Sequence, residues 1–189
     1  MTYPTTPEFA AINVESQHAN IRSETRSGRT QTRSIGAQRW KFTAKYNDLT
    51  RAEFAPVYAY ILSKGSGTTA FNITPPVISN SRGSVSGTVT TAAASIGASS
   101  VSVSGFSGNI KAGDFIKFSN HSKVYMATAD ANSGAALAIA PALLSAVTSS
   151  TTVSYNNVTF NMRTAKDVQK FGLSEFDKYT YEVDMIEVI

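Results

Sequence analysis

Apolar and polar residues alternate most cleanly at two distant places in the chain. From Arg39 to Tyr46, Trp40, Phe42, Ala44 and Tyr46 take one side of an extended backbone, and Arg39, Lys41, Thr43 and Lys45 take the other. In the final run, Tyr179, Tyr181, Val183 and Met185 alternate with Thr180, Glu182 and Asp184. Both patterns predict half-buried strands, over 39–46 and 179–186. The acidic outer face of the second suits the basic outer face of the first, a cross-strand match worth some tenths of a kcal/mol per pair. Just after the first strand the period turns helical, with Phe54, Val57, Tyr58, Ile61 and Leu62 on one face and Thr50 followed by Glu53 in the form of a capping box. The spacing predicts a core-facing helix over about 51–63. Pro56 would cost that helix a backbone hydrogen bond, which moves the expected regular start towards Ala55, and Gly65, in Lys64-Gly65-Ser66-Gly67, is the expected left-handed stop.

The rest of the pattern is weaker but ordered. A strand is expected around Ala11–Val14, after an opening with Pro4 and Pro7 that reads as loose or extended. Ser23 to Gln38 holds almost no apolar residue apart from Ile35, so it reads as a long hairpin arm or loop that projects. Thr69 to Ile78 gives a short strand ended by Pro75-Pro76. From Ser79 to Asn157 the chain becomes rich in Ser, Thr, Ala and Gly, and short β-type runs recur at Ser84–Val89, Ser99–Ser104, Asp114–Phe118, Lys123–Thr128, Leu137–Ala140 and Thr151–Tyr155. Six short strands separated by glycine turns predict a small antiparallel barrel or sandwich. The charged, aromatic style returns with a strand at Val158–Met162, then a short helix from Thr164 or Asp167 to Gly172.

The fold class that follows is mainly β (α+β). Residues 1–80 and 158–189 form an outer β-sandwich or sheet with one packed helix, and 81–157 is a small antiparallel β-barrel inserted into one of its loops. Such an insertion costs little when the ends of the inserted unit lie close together.

Charge and composition narrow the function. The 189 residues include no cysteine, which removes disulfides, thiolate catalysis and cysteine-ligated zinc. No apolar run of membrane-spanning length occurs and the first residues lack the form of a secretory signal, so no membrane insertion and synthesis in the cytoplasm are expected. The net charge of +4 is concentrated: Arg22, Arg26, Arg29, Arg33, Arg39, Lys41 and Lys45 face the single acid Glu24, whereas 167–187 carries Asp167, Glu175, Asp177, Glu182, Asp184 and Glu187. A subunit with a basic and an acidic region can complement copies of itself.

Catalytic signals are lacking. His18 and His121 have no companions at metal-ligand spacing and read as structural or solvated. No nucleophile elbow, phosphate loop, zinc-protease helix or dinucleotide fingerprint occurs. Glu182 and Asp184 share a strand face, but with no aromatic cleft beside them they read as surface and not as a glycosidase pair. No catalytic residue, cofactor or metal is expected. The arginine arm admits three readings: nucleic-acid contact, which lacks aromatics to stack on bases; a solvated loop; and a subunit interface, which fits better because arginine bridges carboxylates. The candidate interface residues are Arg22, Arg26, Arg29, Arg33, Arg39, Glu182, Asp184 and Glu187. An alternative function, a carbohydrate- or host-surface-binding module, would rest on exposed aromatics in the inserted unit, with Phe106, Tyr125 and Tyr155 as glycan contacts and Phe115 beside them.

Several segments together resemble a family. A basic loop leading into Gln38-Arg39-Trp40, Leu49-Thr50 followed by Glu53-Phe54, Phe171-Gly-Leu-Ser-Glu-Phe176, and the closing Tyr181-Glu-Val-Asp-Met-Ile-Glu-Val188 resemble tail proteins of double-stranded DNA bacteriophages. The runs Val101–Phe106, Ile110–Phe118 and Lys123–Thr128 look like the small barrel of phage structural proteins. The resemblance is closest to the distal tail, tail tube and baseplate proteins. It implies a tail-tube-like β-sandwich outer domain with a flanking helix, assembled as a homo-oligomeric ring, usually hexameric, around the channel through which DNA passes without specific binding. The implied partners are neighbouring tail proteins, and the implied location is the virion tail. The arm from Arg22 to Gln38 would reach the next subunit or ring.

Overall fold

The computed structural model describes residues 3–34, 36–65, 67–174 and 177–189. Ile35, Ser66 and the Glu175-Phe176 end of the resembling segment lie outside them.

The chain runs through β1 (Ala11–Gln17), β2 (Asn20–Glu24), β3 (Thr30–Ser34), β4 (Arg39–Leu49), α1 (Arg51–Ser63) and β5 (Phe71–Ile73). Then come β6 (Ser86–Thr91), β7 (Ser100–Ser107), β8 (Asn109–Ile110), β9 (Phe115–Phe118), β10 (Val124–Ala127), β11 (Ala131–Asn132), β12 (Ala136–Ala140) and β13 (Thr152–Ser154). It ends with β14 (Phe160–Thr164), β15 (Phe171–Leu173) and β16 (Tyr179–Glu187). The class is mainly β with one helix, as the pattern predicts.

One six-stranded sheet has the order β1-β4-β16-β14-β5, with β15 on the same edge of β16 as β14. The two alternating strands lie side by side at its centre, registered so that Phe42 faces Met185, Ala44 faces Val183 and Lys45 faces Glu182. Their apolar face is one continuous core with Phe71, Ile73, Phe160 and Met162, and it is covered by Phe54, Val57 and Ile61 of α1. The other face is polar. There Lys45 Nζ lies 3.1 Å from Glu182, Lys166 Nζ 2.5 Å from Asp184, and Thr43 Oγ1 donates to Asp184 at 2.7 Å.

Four local expectations need correction. Helix α1 starts at Arg51 and keeps Pro56 inside it, because Pro56 and Ala52, whose carbonyl loses its partner, both face solvent; the capping box forms, with Thr50 N–H donating to the Glu53 carboxylate at 2.8 Å. Leu62, read as core-facing, is about half exposed. The short helix after Thr164 does not form: 165–170 is irregular, Val168 stands exposed, and Phe171, three residues on, belongs to Phe171–Leu173, which pairs with β16 instead. The opening segment is not loose either. Tyr3 is buried, its N–H donates to Asn72 at 2.8 Å, its hydroxyl meets that of Tyr46 at 3.1 Å, and burial pushes the Tyr46 phenol up to about 12. Gly65 stops α1 with φ +61°, as expected, and a side chain there would meet Thr68.

The six runs predicted for the serine-rich part close into a barrel, β10-β12-β7-β6-β13-β9, around Val89, Val101, Val103, Ile116, Phe118, Leu137, Ile139 and Val153. The chain enters and leaves it side by side. Val158 N–H donates to Ser79 at 3.0 Å, Asn157 N–H to Asn80 Oδ1 at 3.0 Å, and Ser81 N–H to Asn156 Oδ1 at 3.1 Å.

Candidate functional site

The arm is a free-standing antiparallel hairpin. Among the described residues its strands β2 and β3 pair only with each other, and every residue in them is exposed. A turn closed by Thr25 N–H to Arg29 O at 2.9 Å, with Gly28 at φ +77°, carries Arg26 at its tip. Seven residues of extended chain from Asn20 reach roughly 20 Å beyond the sheet. Residues opposite each other share a face, so Ile21 with Arg33 and Ser23 with Gln31 lie on one side, and Arg22 with Thr32 and Glu24 with Thr30 on the other. Arg22 and Arg33 thus point to opposite faces. Arg39 is partly buried at the first position of β4, opposite Gln17 at the root of the arm.

The acidic candidates divide. Glu182 and Asp184 lie on the open face of the sheet, but each already has a cation from its own chain, Lys45 and Lys166. Partial burial works against the Asp184 charge, yet the bonds from Lys166 and Thr43 hold its pKa below the usual range. Glu187 is a correction: it is fully buried and offers no surface to a neighbour. Its Oε1 accepts from Val124 N–H at 2.9 Å, and its Oε2 accepts from Trp40 N–H at 3.1 Å and pairs with Lys123 Nζ.

That carboxylate is the centre of the joint between sheet and barrel, which the sequence patterns did not reveal. Lys123 is buried beside it, donates to Gln38 Oε1 at 2.8 Å and lies 5.6 Å from the centre of the Trp40 ring. Gln38 Nε2 donates onward to Ser16 Oγ at 3.0 Å, and Trp40 Nε1 to Val124 O at 2.8 Å. Phe115 of the barrel stands edge-on to Trp40 at 5.0 Å and to Phe160 at 5.3 Å, so the apolar core crosses the joint as well. Burial pulls the Lys123 pKa down and the Glu187 charge offsets part of that.

A second polar knot sits where the chain enters the barrel. Buried Asp114 accepts from Ser81 Oγ, from Arg82 N–H at 3.0 Å and from Lys111 N–H at 3.0 Å, with Arg82 Nε 3.5 Å away. Burial alone would raise its pKa; the donors outweigh it and hold the carboxyl below its ordinary value.

The glycan candidates do not form a surface. Phe106 and Tyr125 belong to the barrel core, and Phe115 to the joint; only Tyr155 is partly exposed, its hydroxyl donating to Gly87 O at 2.8 Å. His121 bonds to the Tyr125 hydroxyl at 2.9 Å, and His18 lies 3.2 Å from Ser16 Oγ. Among the described residues no group of three or more His, Asp or Glu is placed to hold a metal ion.

Between β1 and the barrel lies a cavity of about 480 Å³, mostly apolar. Val14, Trp40, Phe115, Met126 and Pro141 form its walls, and Ser16, His18 and Gln38 its polar side.

The closed six-stranded barrel, whose strands fall in sequence between β5 and β14 of the sheet, is where the comparison with protein families becomes informative. Residues 77–158 match the family described as the distal tail protein pb9, B domain, and the matched segment brackets all six barrel strands. The matched residues are fewer than half of the chain, and over them it is similar to that domain of a distal tail protein. No curated protein matches the chain.

Proposed function

We propose that the chain is a structural subunit of the distal tail, tube or baseplate region of a phage tail, closing with copies of itself into a ring of six around the DNA channel. Residues 1–80 and 158–189 would build the ring wall, and 81–157 would ride on it as an inserted unit. The observation that carries this reading is the distal-tail-protein match over the barrel segment. The arm supports it: an exposed hairpin that carries four arginines, and whose strands pair only with each other among the described residues, is suited to contact with another molecule. Its partners are neighbouring copies and the tail proteins above and below, its place is the virion tail after synthesis in the host cytoplasm, and DNA passes without specific contact. Catalysis has no part in this reading. The sugar-binding alternative loses its support, because Phe106 and Tyr125 are core.

Negative-stain electron microscopy of the concentrated protein, with its mass in solution, tests the proposal. Rings with a central hole are expected, and an Arg26→Glu/Arg29→Glu variant should remain folded but fail to form them. A variant that assembles as well as the wild type would remove the arm from the mechanism.

A further inference from the structure

The sheet ends at β1, whose only strand partner among the described residues is β4, so none of these residues forms a strand along its outer edge. An unprotected edge of seven residues is a ready template for another strand. Two features of its surroundings specify what that strand must carry. On the face shared by Val14 and Ser16, the barrel overhangs the edge and leaves the apolar cavity described above. On the opposite face, Glu15 is well exposed and only loosely engaged, 4.0 Å from Lys41. Because side chains alternate, a strand laid along β1 must present an apolar side chain to the cavity and, at the adjacent position, a cation to Glu15.

Strand β2 has that pattern. Ile21 is 54% exposed, an unusual position for an isoleucine on an otherwise polar hairpin, and Arg22 follows it on the other face. Like β1, β2 has a free edge among the described residues, where its only strand partner is β3. Antiparallel pairing with Arg22 directly opposite Glu15 puts Ile21 opposite Ser16, with Val14 and His18 as its diagonal neighbours, and all three of these line the cavity. One register therefore satisfies both the apolar and the charged requirement. Within one chain β2 is paired with β3 and not with β1 among the described residues, so a chain's own Ile21 does not occupy that place.

We infer that the free edge of β1 receives β2 of a second copy in antiparallel register, with Ile21 entering the cavity beneath the barrel and Arg22 facing Glu15. This rests on the ring reading above and names the surface that the arm engages. It assigns the apolar cavity to a side chain of a neighbouring copy, and it gives the barrel a part in assembly, since Phe115, Met126 and Pro141 form the wall against which Ile21 would pack.

The test is charge exchange in the full chain. Glu15→Lys and Arg22→Glu each place like charges opposite one another and should weaken self-association about tenfold, measured by sedimentation over a range of concentrations. The double variant Glu15→Lys/Arg22→Glu restores the opposite pair and should recover most of the loss, and Ile21→Ala should weaken association without any charge change. Both charged residues are exposed, so circular dichroism should report unchanged folding. Single reversals that leave self-association intact overturn this docking, assign the cavity to a partner other than a second copy, and leave the ring reading standing. A double variant no better than either single also overturns it. A wild-type chain that stays monomeric at every concentration overturns both.

Discussion

At the joint between sheet and barrel, Lys123 and Glu187 are withdrawn from water and bonded to Gln38, Trp40 and Val124, whereas Arg22, Arg26, Arg29 and Arg33 stand on or at the tip of a hairpin whose strand residues are all exposed. The first arrangement spends charge on orientation. Glu187 closes the end of β16 onto the backbone N–H groups of both β4 and the start of β10, so that sheet and barrel share one carboxylate. The second leaves charge in high dielectric, where ion pairs with the same chain would contribute little and pairs with a partner gain steering and register. The difference teaches that the two regions should answer mutation in opposite currencies, stability at the joint and association at the arm.

The largest effect is expected from Lys123→Met. It keeps the packing volume but leaves the Glu187 carboxylate buried without its cation, which costs roughly 3–5 kcal/mol in systems of this kind. Urea unfolding would measure it. Adding Glu187→Gln should recover only part of the loss, because Val124 and Trp40 N–H donate to different oxygens of the carboxylate and the amide puts an NH2 donor in place of one of them. A loss of less than about 1 kcal/mol for the single variant would place this pair with ordinary surface pairs and erase the contrast with the arm.

A smaller, pH-dependent effect belongs to Asp114. Its pKa in the folded protein lies below the ordinary aspartate value of about 3.9. In acid the unfolded chain therefore binds more protons than the folded one, so stability rises with pH across that range. The contribution is complete above the unfolded value and is lost as pH falls through the folded one. Asp184, held down by Lys166 and Thr43, adds to the same acid slope. Asp114→Asn should flatten the slope below the ordinary aspartate value of about 3.9 relative to the wild type. An unchanged acid slope would mean that the Ser81, Arg82 and Lys111 donors do not favour the ionised carboxyl.

Much of this was open to reading in the sequence, and where it was missed the cause is specific. All six barrel strands and the central pair β4 and β16 follow from alternation and glycine spacing. The arm was visible through its lack of apolar residues. Glu187 was read as an outer acid, yet it continues the buried phase of Tyr181, Val183 and Met185; in the same way Gln38 precedes Trp40, Phe42 and Ala44 in their phase. A polar residue in the buried phase of a strand is the signal that could have located the joint. Lys123 gave no such signal, because what buries it is the other unit of the fold, and alternation says nothing about contacts between units. The barrel aromatics were misjudged for a related reason: alternation assigns Phe106 and Tyr125 to a face but not to a covered one, and only closure of the barrel decides which face is inside.

The smallest effect on stability is expected at the tip of the arm, and its smallness is the informative part. Arg26→Ala and Arg29→Ala remove charges from exposed positions that pack on no other element, so each should shift unfolding by no more than about 0.5 kcal/mol. The same variants should slow association and weaken its dependence on salt, because attraction between charged surfaces acts over roughly a Debye length and fades as ionic strength rises. Denaturant curves that overlay the wild type, beside assembly rates that fall and lose their salt dependence, would place the arm's free energy wholly between molecules. A stability loss as large as that of Lys123→Met would instead mean that the arm packs on its own chain in solution, and the contrast between the two regions would fail at the arm and not at the joint.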